Sequence, residues 1–141
     1  MSNTYIIHTD GGARGNPGPA AIGVVVEKNG KRIHEFGKQI GESTNNVAEY
    51  TAVIEALKYL KELHVIDTIT RVIFFIDSKL VVEQLNGRFK VKDAKLRELL
   101  FQVKIHEQEV GGEVVYKLIP REQNRRADFL VNQSLDHTLN I

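Results

Sequence analysis

Residues 9–18 have the sequence Thr-Asp-Gly-Gly-Ala-Arg-Gly-Asn-Pro-Gly. They follow the short apolar run Tyr5-Ile6-Ile7, which predicts a strand over residues 4–9 with Asp10 at its C-terminal end. Asp-Gly and Asn-Pro-Gly are common in turns, so a turn explains the segment without any function. A carboxylate at the exit of a core strand, beside a backbone with few side chains, equally predicts a place where a charged ligand approaches. The segment alone leaves both interpretations open.

The composition predicts one globular domain over residues 1–141. Apolar residues make up 42% and charged residues 26% of the 141 residues, which excludes a chain that is disordered by composition. No cysteine is present, so thiolate metal sites are excluded. No run approaches the roughly 20 apolar residues of a membrane span, and no secretory signal is recognisable. We therefore expect a cytoplasmic protein with no membrane partner, and a monomer.

The order of the predicted elements indicates an α/β fold with a mixed sheet. The Asn29-Gly30 dipeptide predicts a type I′ hairpin between the second and third strands. The nearly continuous apolar run over 69–76 is typical of a parallel strand covered on both faces. The tail over 136–141 has no strong signal. The predicted strands cover 4–9, 20–28, 31–40, 69–76 and 114–119, and the predicted helices cover 45–63, 78–86, 93–109 and 122–135.

Two carboxylates lie at the ends of predicted strands. Asp10 follows the first strand, and Asp77 follows the run over 69–76. Taken alone, Asp77 is better explained as the N-cap of the next helix than as a catalytic residue. However, open α/β sheets bind ligands at the C-terminal ends of their parallel strands, and we expect these two strands to be adjacent.

Two further carboxylates lie on the apolar faces of predicted helices. Glu49 shares its helical face with Ala52, Val53 and Ala56, so we expect it to face the core. Asp128 has Ala127 and Val131 as neighbours on the stripe of the last helix, although it could lie at the exposed edge of that stripe. A carboxylate that faces a core without a partner is costly.

The four acids together predict a metal site. A cluster of this kind cannot stay ionised in a cleft without cations. Oxygen ligands without cysteine suit Mg²⁺ or Mn²⁺. Two such ions about 4 Å apart are a common device for displacement at a phosphodiester.

The chain resembles ribonuclease H type 1 over nearly its whole length. Any one of the shared motifs would be weak, but their order and spacing together are specific. They are Thr9-Asp10-Gly11-Gly12 with Asn16-Pro17-Gly18; Thr44-Asn45-Asn46-x-Ala48-Glu49-Tyr50; Asp77-Ser78 with Val81 and Leu85; and Asn124-x-x-Ala127-Asp128-x-Leu130-Val131-Asn132.

The resemblance implies a fold, an activity and a set of site residues. The fold is a five-stranded mixed sheet, with the first three strands antiparallel and the others parallel to the first, flanked by helices. The activity is hydrolysis of the RNA strand of RNA–DNA hybrids by two Mg²⁺ ions, with Mn²⁺ as a substitute, which leaves 5′-phosphate and 3′-hydroxyl ends. By position, Asp10, Glu49, Asp77 and Asp128 match the metal-binding catalytic acids, and Gly11, Gly12, Asn16, Thr44, Asn45 and Asn46 match substrate-binding positions. The amide side chains suit recognition of 2′-hydroxyls in a shallow groove, and the two glycines would let the backbone approach the RNA strand.

The chain departs from the family pattern at two places. Many relatives have a histidine on the loop before the last helix, whereas here the nearest substitute is Arg121, which can contact a phosphate but is equally consistent with a solvated loop residue. Some relatives insert a basic helix and loop after the third acid, and here only Arg88-Phe89-Lys90-Val91-Lys92 remains. Phe89 could stack on the hybrid or pack inward, and inward packing is the favoured expectation.

Two other functions stay open at this point. One is a nucleic-acid-binding module without catalysis, which the four intact acids argue against. The other is a nuclease of the same fold that also cuts duplex RNA, since a fold alone does not define a substrate.

Overall fold

The computed structural model describes residues 3–64 and 67–137. Within these residues the chain forms five strands, four α-helices and one short 3₁₀ helix. In chain order they are β1 (Thr4–Ala13), β2 (Gly18–Lys28), β3 (Lys31–Ser43), α1 (Asn45–His64), β4 (Arg71–Ile76), α2 (Lys79–Leu85), α3 (Ala94–Val110), β5 (Glu113–Leu118), the 3₁₀ helix (Arg121–Gln123) and α4 (Arg125–His137). The predicted tail over 136–141 falls partly on α4, and residues 138–141 lie outside the described residues.

The five strands form one mixed sheet in the order β3-β2-β1-β4-β5. The pairs β1–β2 and β2–β3 are antiparallel, and the pairs β1–β4 and β4–β5 are parallel. The predicted fold class is therefore confirmed. The hairpin between β2 and β3 is confirmed as well, because Asn29 and Gly30 have φ values of 49° and 88°, the left-handed pair that a type I′ turn requires.

The first strand is longer than the sequence predicts. Its parallel pairing with β4 ends at His8 opposite Phe75, but its antiparallel pairing with β2 continues to Ala13 opposite Ala20. Asp10 therefore lies inside β1, not at its end, and the connection to β2 is confined to residues 14–17. The prediction failed because glycines usually interrupt strands, whereas here another element approaches the strand closely, which is the situation in which a strand retains glycine.

Helices cover the two faces of the sheet unequally. Alternate β2 residues point to opposite faces, so Val24 and Val26 pack with α1 in the main core, while Val25 packs with α4. Because α4 lies over β1, β2 and β3, the α4 side of β4 has only half-buried side chains, Ile73 and Phe75. The expectation that this strand is covered on both faces was wrong.

The buried side chains of α3 follow a helical spacing. Leu96, Leu99 and Val103 are buried, as their spacing predicts. In the next turn His106 is half-buried and Ile105 is exposed. Within the described residues, no helix is both long enough and apolar enough to cross a bilayer.

Candidate metal centre and cleft

Three of the four predicted acids converge on one point. Asp10 comes from β1, Glu49 from α1, and Asp77 directly follows β4. One carboxylate oxygen from each lies within 4.8 Å of the other two. Asp10 and Asp77 lie close together because β1 and β4 are adjacent and parallel. The pairing of these two strands ends just before Asp10. The separation of the strands opens the space into which the carboxylates project.

Glu49 reaches the cluster because α1 lies directly against the backbone of β1. A Cβ atom at Gly11 would be 2.3 Å from the Ala48 carbonyl carbon, so only glycine allows this approach. The Gly11 N–H donates to Glu49 Oε1 over 3.3 Å. Gly11 is therefore required by helix packing, which the sequence analysis did not anticipate. Its contribution to substrate binding stays a prediction.

Asp77 is held in place by a hydrogen bond from Asn124. The N-cap of α2 is Ser78, whose side chain accepts a hydrogen bond from the Val81 N–H over 3.3 Å. Asp77 is therefore not needed as the cap. Its Oδ2 accepts a hydrogen bond of 2.9 Å from Asn124 Nδ2, and the same nitrogen donates to the Thr9 carbonyl over 2.9 Å.

Asp128 stands apart from the other acids. It is exposed in the first turn of α4, not buried on the apolar stripe, and its carboxylate is not part of the cluster of three. Its helical neighbours Ala127 and Val131 are buried where α4 packs against the sheet. The Asp128 side chain itself does not pack there. Asp128 nevertheless lines the same cleft, and its charge contributes to the raised pKa of Asp10.

The electrostatics of the cluster fit a divalent cation. Burial, together with repulsion from Asp77 and Asp128, raises the pKa of Asp10 to about 7. Burial and the adjacent Asp10 raise the pKa of Glu49 well above its usual value. A hydrogen bond between these two carboxyl groups lowers the pKa of Asp10 and raises that of Glu49. Carboxylate oxygens alone make up the donor set, which suits a hard cation such as Mg²⁺ or Mn²⁺.

The acids line an open cleft of about 420 Å³. Its walls also carry five of the residues predicted to bind substrate, namely Gly11, Gly12, Asn45, Asn46 and Arg121. Asn16, Thr44 and Phe89 are not on these walls. The structure therefore brings most of the predicted binding residues to the acids and leaves three of them outside the cleft.

Two of those three residues organise the start of α1. Asn16 Oδ1 accepts the Asn45 N–H over 2.9 Å, and Asn45 Oδ1 accepts the Ala13 N–H over 2.8 Å. Thr44 Oγ1 accepts the Val47 N–H over 3.2 Å and so caps the helix. These bonds tie the glycine-rich connection to the helix that carries Glu49.

The segment over 88–92 differs from the favoured expectation. Phe89 is 43% exposed, and Val91, at 7%, is the side chain that packs inward. Arg88 Nε is paired with Glu83 Oε2 at 3.0 Å. Phe89 is thus free to meet a ligand, because Val91 supplies the apolar contact that anchors the loop to the core.

The sequence analysis missed three residues at this site. Asn124 and Asn132 entered only as parts of a motif, although Asn124 is buried and contacts Asp77. Arg14 and Asn132 line the cleft and approach each other, with 3.5 Å from Arg14 Nη2 to Asn132 Oδ1. No local pattern marks these contacts, since the partners are 47 and 118 residues apart.

Comparisons with known proteins agree with this architecture. The sequence model of a family described as reverse transcriptase-like matches residues 8–134. Ribonuclease HI of Halobacterium salinarum is 41% identical over 129 residues, which are 90% of this chain and 62% of that protein. A bifunctional protein of Mycobacterium tuberculosis is 40% identical over 133 residues, 93% of this chain and 35% of that protein. The chain thus spans about a third of the first curated relatives that it matches.

A solved structure is similar over almost its whole length. LC11-RNase H1, isolated from compost by a metagenomic approach, is 46% identical with a TM-score of 0.89, and the match covers 96% of this chain and 98% of that chain. A second structure of LC11-RNase H1, in complex with an RNA/DNA hybrid, has a TM-score of 0.90 at the same identity and covers 96% of this chain and 99% of that one. With the sheet order, the acid cluster and these similarities in agreement, the chain belongs to the ribonuclease H type 1 family.

Proposed function

We propose that the chain is an endoribonuclease that hydrolyses the RNA strand of RNA–DNA hybrids with two divalent metal ions and leaves 5′-phosphate and 3′-hydroxyl ends. The observation that carries this proposal is the convergence of Asp10, Glu49 and Asp77 within 4.8 Å at the floor of an open cleft. The hybrid held by LC11-RNase H1, a relative of 46% identity, supports the choice of substrate.

The four acids would hold the ions. Bound there, Mg²⁺ or Mn²⁺ would supply activation of water and stabilisation of the leaving oxygen. A cation held there would favour the ionised forms of Asp10 and Glu49, whose pKa values burial raises, because it would supply the neutralising charge. Asn124 keeps Asp77 turned toward the cluster through its 2.9 Å hydrogen bond. Asp128, exposed on the cleft wall, is the acid whose carboxylate is freest to move toward an ion.

The amides on the cleft wall would select the substrate. Asn45 uses its side-chain oxygen to accept from Ala13, so its NH₂ group is the part left to donate to a sugar hydroxyl. Asn46 lies beside it on the wall. Asn16 would act next to Asn45, whose backbone N–H it binds. These donors suit a groove that displays 2′-hydroxyls, which distinguishes RNA from DNA.

A comparative cleavage assay tests the proposal. A uniformly labelled hybrid, duplex RNA and duplex DNA are incubated with the protein and Mg²⁺ or Mn²⁺. We expect cleavage of the RNA strand of the hybrid, and we expect Asp10→Asn and Asp77→Asn to abolish it. The matched control is Glu113→Gln, which neutralises a carboxylate paired with Arg71 at the opposite end of the sheet. Wild-type turnover in either aspartate variant would refute the proposal.

The same assay separates the two alternative functions. A binding module without catalysis would leave all substrates intact, and the acid cluster argues against it because clustered negative charge opposes a phosphate backbone. Cleavage of duplex RNA at a rate similar to that of the hybrid would widen the substrate class. The single-domain organisation, the monomeric state and the cytoplasmic location stay predictions.

A further inference from the structure

We propose that Arg14 contacts a phosphate of the bound nucleic acid and that Asp136 holds its guanidinium in position at the mouth of the cleft. This inference rests on the proposed function, because it assigns a further binding residue to the same site. It concerns a side chain to which neither the sequence motifs nor the acid cluster gives a role.

Arg14 is placed on the wall of the cleft by its ion pair with α4. Its backbone N–H donates to the Pro19 carbonyl over 2.8 Å, which fixes the base of the residue across the connection between β1 and β2. Its Nη2 lies 2.7 Å from Asp136 Oδ1 and 3.5 Å from both the carbonyl oxygen and Oδ1 of Asn132. The guanidinium is thus aimed along α4.

The contacts of Arg14 and the acid Asp128 belong to one face of α4. Asp128, Asn132 and Asp136 recur at every fourth position, so they lie on one side of the helix. Eight residues separate Asp128 from Asp136, which corresponds to about 12 Å along the helix axis. At a rise of roughly 3.4 Å per nucleotide, this distance corresponds to a few nucleotides. Arg14 therefore places a positive charge a few nucleotides away from the acids.

The charge balance of the cleft makes this position important. Four acids line the cleft, and among its lining residues in the described part of the chain only Arg14 and Arg121 are basic. Arg121 lies on the 3₁₀ helix before α4, while Arg14 contacts the last two turns of α4. A phosphate backbone that crosses the acids would therefore find one arginine toward each end of the helix.

The ion pair with Asp136 leaves the Arg14 guanidinium accessible to a phosphate. The Arg14 and Asp136 side chains are 44% and 62% exposed, and ion pairs that are this accessible are weak. A guanidinium binds phosphate through two parallel charge-assisted hydrogen bonds, which are stronger than a single contact to a carboxylate. The arginine can therefore donate to a phosphate while Asp136 still holds it in position.

The competing explanation is that the ion pair only fastens α4 to the connection between β1 and β2. The two roles differ in a measurable way. A residue that neutralises a phosphate releases counterions, so its loss changes how affinity depends on salt, whereas loss of a fastening contact does not.

The test measures affinity for a labelled RNA–DNA hybrid between 50 and about 300 mM KCl, a range over which phosphate contacts weaken strongly. All variants carry Asp10→Asn to prevent cleavage. We expect Arg14→Ala to raise the Kd roughly tenfold at 50 mM salt and to reduce the slope of log Kd against log salt by about 0.7 to 0.9. Arg14→Lys should retain the slope, because it retains the charge.

Two controls accompany these variants. Arg71→Ala removes an arginine of the same 44% exposure, paired with Glu113 at 3.0 Å at the opposite end of the sheet, and should change neither Kd nor slope. Asp136→Asn releases the guanidinium and should leave the slope unchanged. An unaltered slope in Arg14→Ala, with or without a lower melting temperature, would overturn the inference in favour of fastening alone. Failure of the proposed function is distinguished separately, since the protein with Asp10 intact would then leave the hybrid uncut.

Discussion

The buried side chain of Asn124 joins Asp77 to the strand that carries Asp10. Its Nδ2 lies 2.9 Å from Asp77 Oδ2 and 2.9 Å from the Thr9 carbonyl oxygen, so a single amide group connects the residue after β4 to the interior of β1. Its Oδ1 is buried and has no hydrogen-bond partner among the described residues. Both N–H groups of this amide therefore donate hydrogen bonds that orient the site.

Replacement of Asn124 by alanine should lower kcat more than it raises KM. The variant loses both hydrogen bonds, so Asp77 can rotate away from the cluster, and we expect kcat to fall by roughly tenfold or more because misplacement of a reacting group is costly. Removal of the buried hydrogen bonds should lower the free energy of unfolding by about 1–3 kcal/mol. Asn86→Ala is the matched control, since Asn86 Nδ2 donates to the Tyr116 carbonyl over 3.1 Å away from the cleft. It should lose stability and keep kcat; an equal loss of kcat in both variants would contradict a positioning role for Asn124.

The metal-free protein should become less stable as the pH rises from about 4 to 7. Burial raises the pKa of Asp10 from 3.8 to about 7, so over this range the unfolded chain has released a proton that the native state still binds. Glu49, whose pKa burial also raises, acts in the same direction. Addition of Mg²⁺ should therefore increase the melting temperature more at pH 8 than at pH 5.

Asp10→Asn provides the control for this pH dependence. It removes one buried charge, so it should flatten the decline in metal-free stability and reduce the effect of Mg²⁺. Ion pairing lowers the pKa values of Glu35 and Glu55. Their contribution to the free energy of unfolding is lost only at lower pH, as the pH falls through those values. A Mg²⁺-induced shift in melting temperature that is equal at pH 5 and pH 8 would contradict the assignment of the cluster.

Gly11→Ala and Gly12→Ala should have very different effects. A Cβ at position 11 would lie 2.3 Å from the Ala48 carbonyl carbon, so α1 must move and carry Glu49 with it. We expect a loss of about 3 kcal/mol or more in the free energy of unfolding, together with loss of cleavage. A Cβ at position 12 would be 3.7 Å from Val131 Cγ1, an ordinary contact, so this variant should remain folded. Circular dichroism melting and the cleavage rate measure both effects, and similar stabilities for the two variants would disprove the packing argument.

Phe89→Ala and Val91→Ala should separate binding from stability in the loop before α3. Phe89 is 43% exposed, so its truncation should leave the melting temperature within about 1 °C of that of the wild-type protein. Base stacking on an aromatic ring contributes about 1–3 kcal/mol per base, so loss of the ring should raise the Kd several-fold if it stacks on the hybrid. Val91 is 7% exposed, and its truncation should cost about 1–2 kcal/mol of stability. An unchanged Kd in Phe89→Ala would show that this side chain is only solvated.

Much of the fold could be predicted from local patterns. The alternation of strands and helices, the turn at Asn29-Gly30 and the buried face of α1 all follow from side-chain periodicity and turn chemistry within a few residues. The predictions that failed depended on what lay across a packing interface. Gly11 looked like the start of a turn because the approach of α1 cannot be seen in β1 alone.

The four acids were identifiable as candidates from the sequence, because two follow predicted strands and two lie on predicted apolar helical faces, and together they indicate one site. Their arrangement was not identifiable. Elements that are distant in the chain determine the convergence of Asp10, Glu49 and Asp77 and the exposure of Asp128. They also determine the hydrogen bond from Asn124 and the ion pair of Arg14. Periodicity reports which side of its own element a residue occupies, whereas distances between carboxylates depend on how helices and strands pack against one another, and that packing exists only in the folded chain.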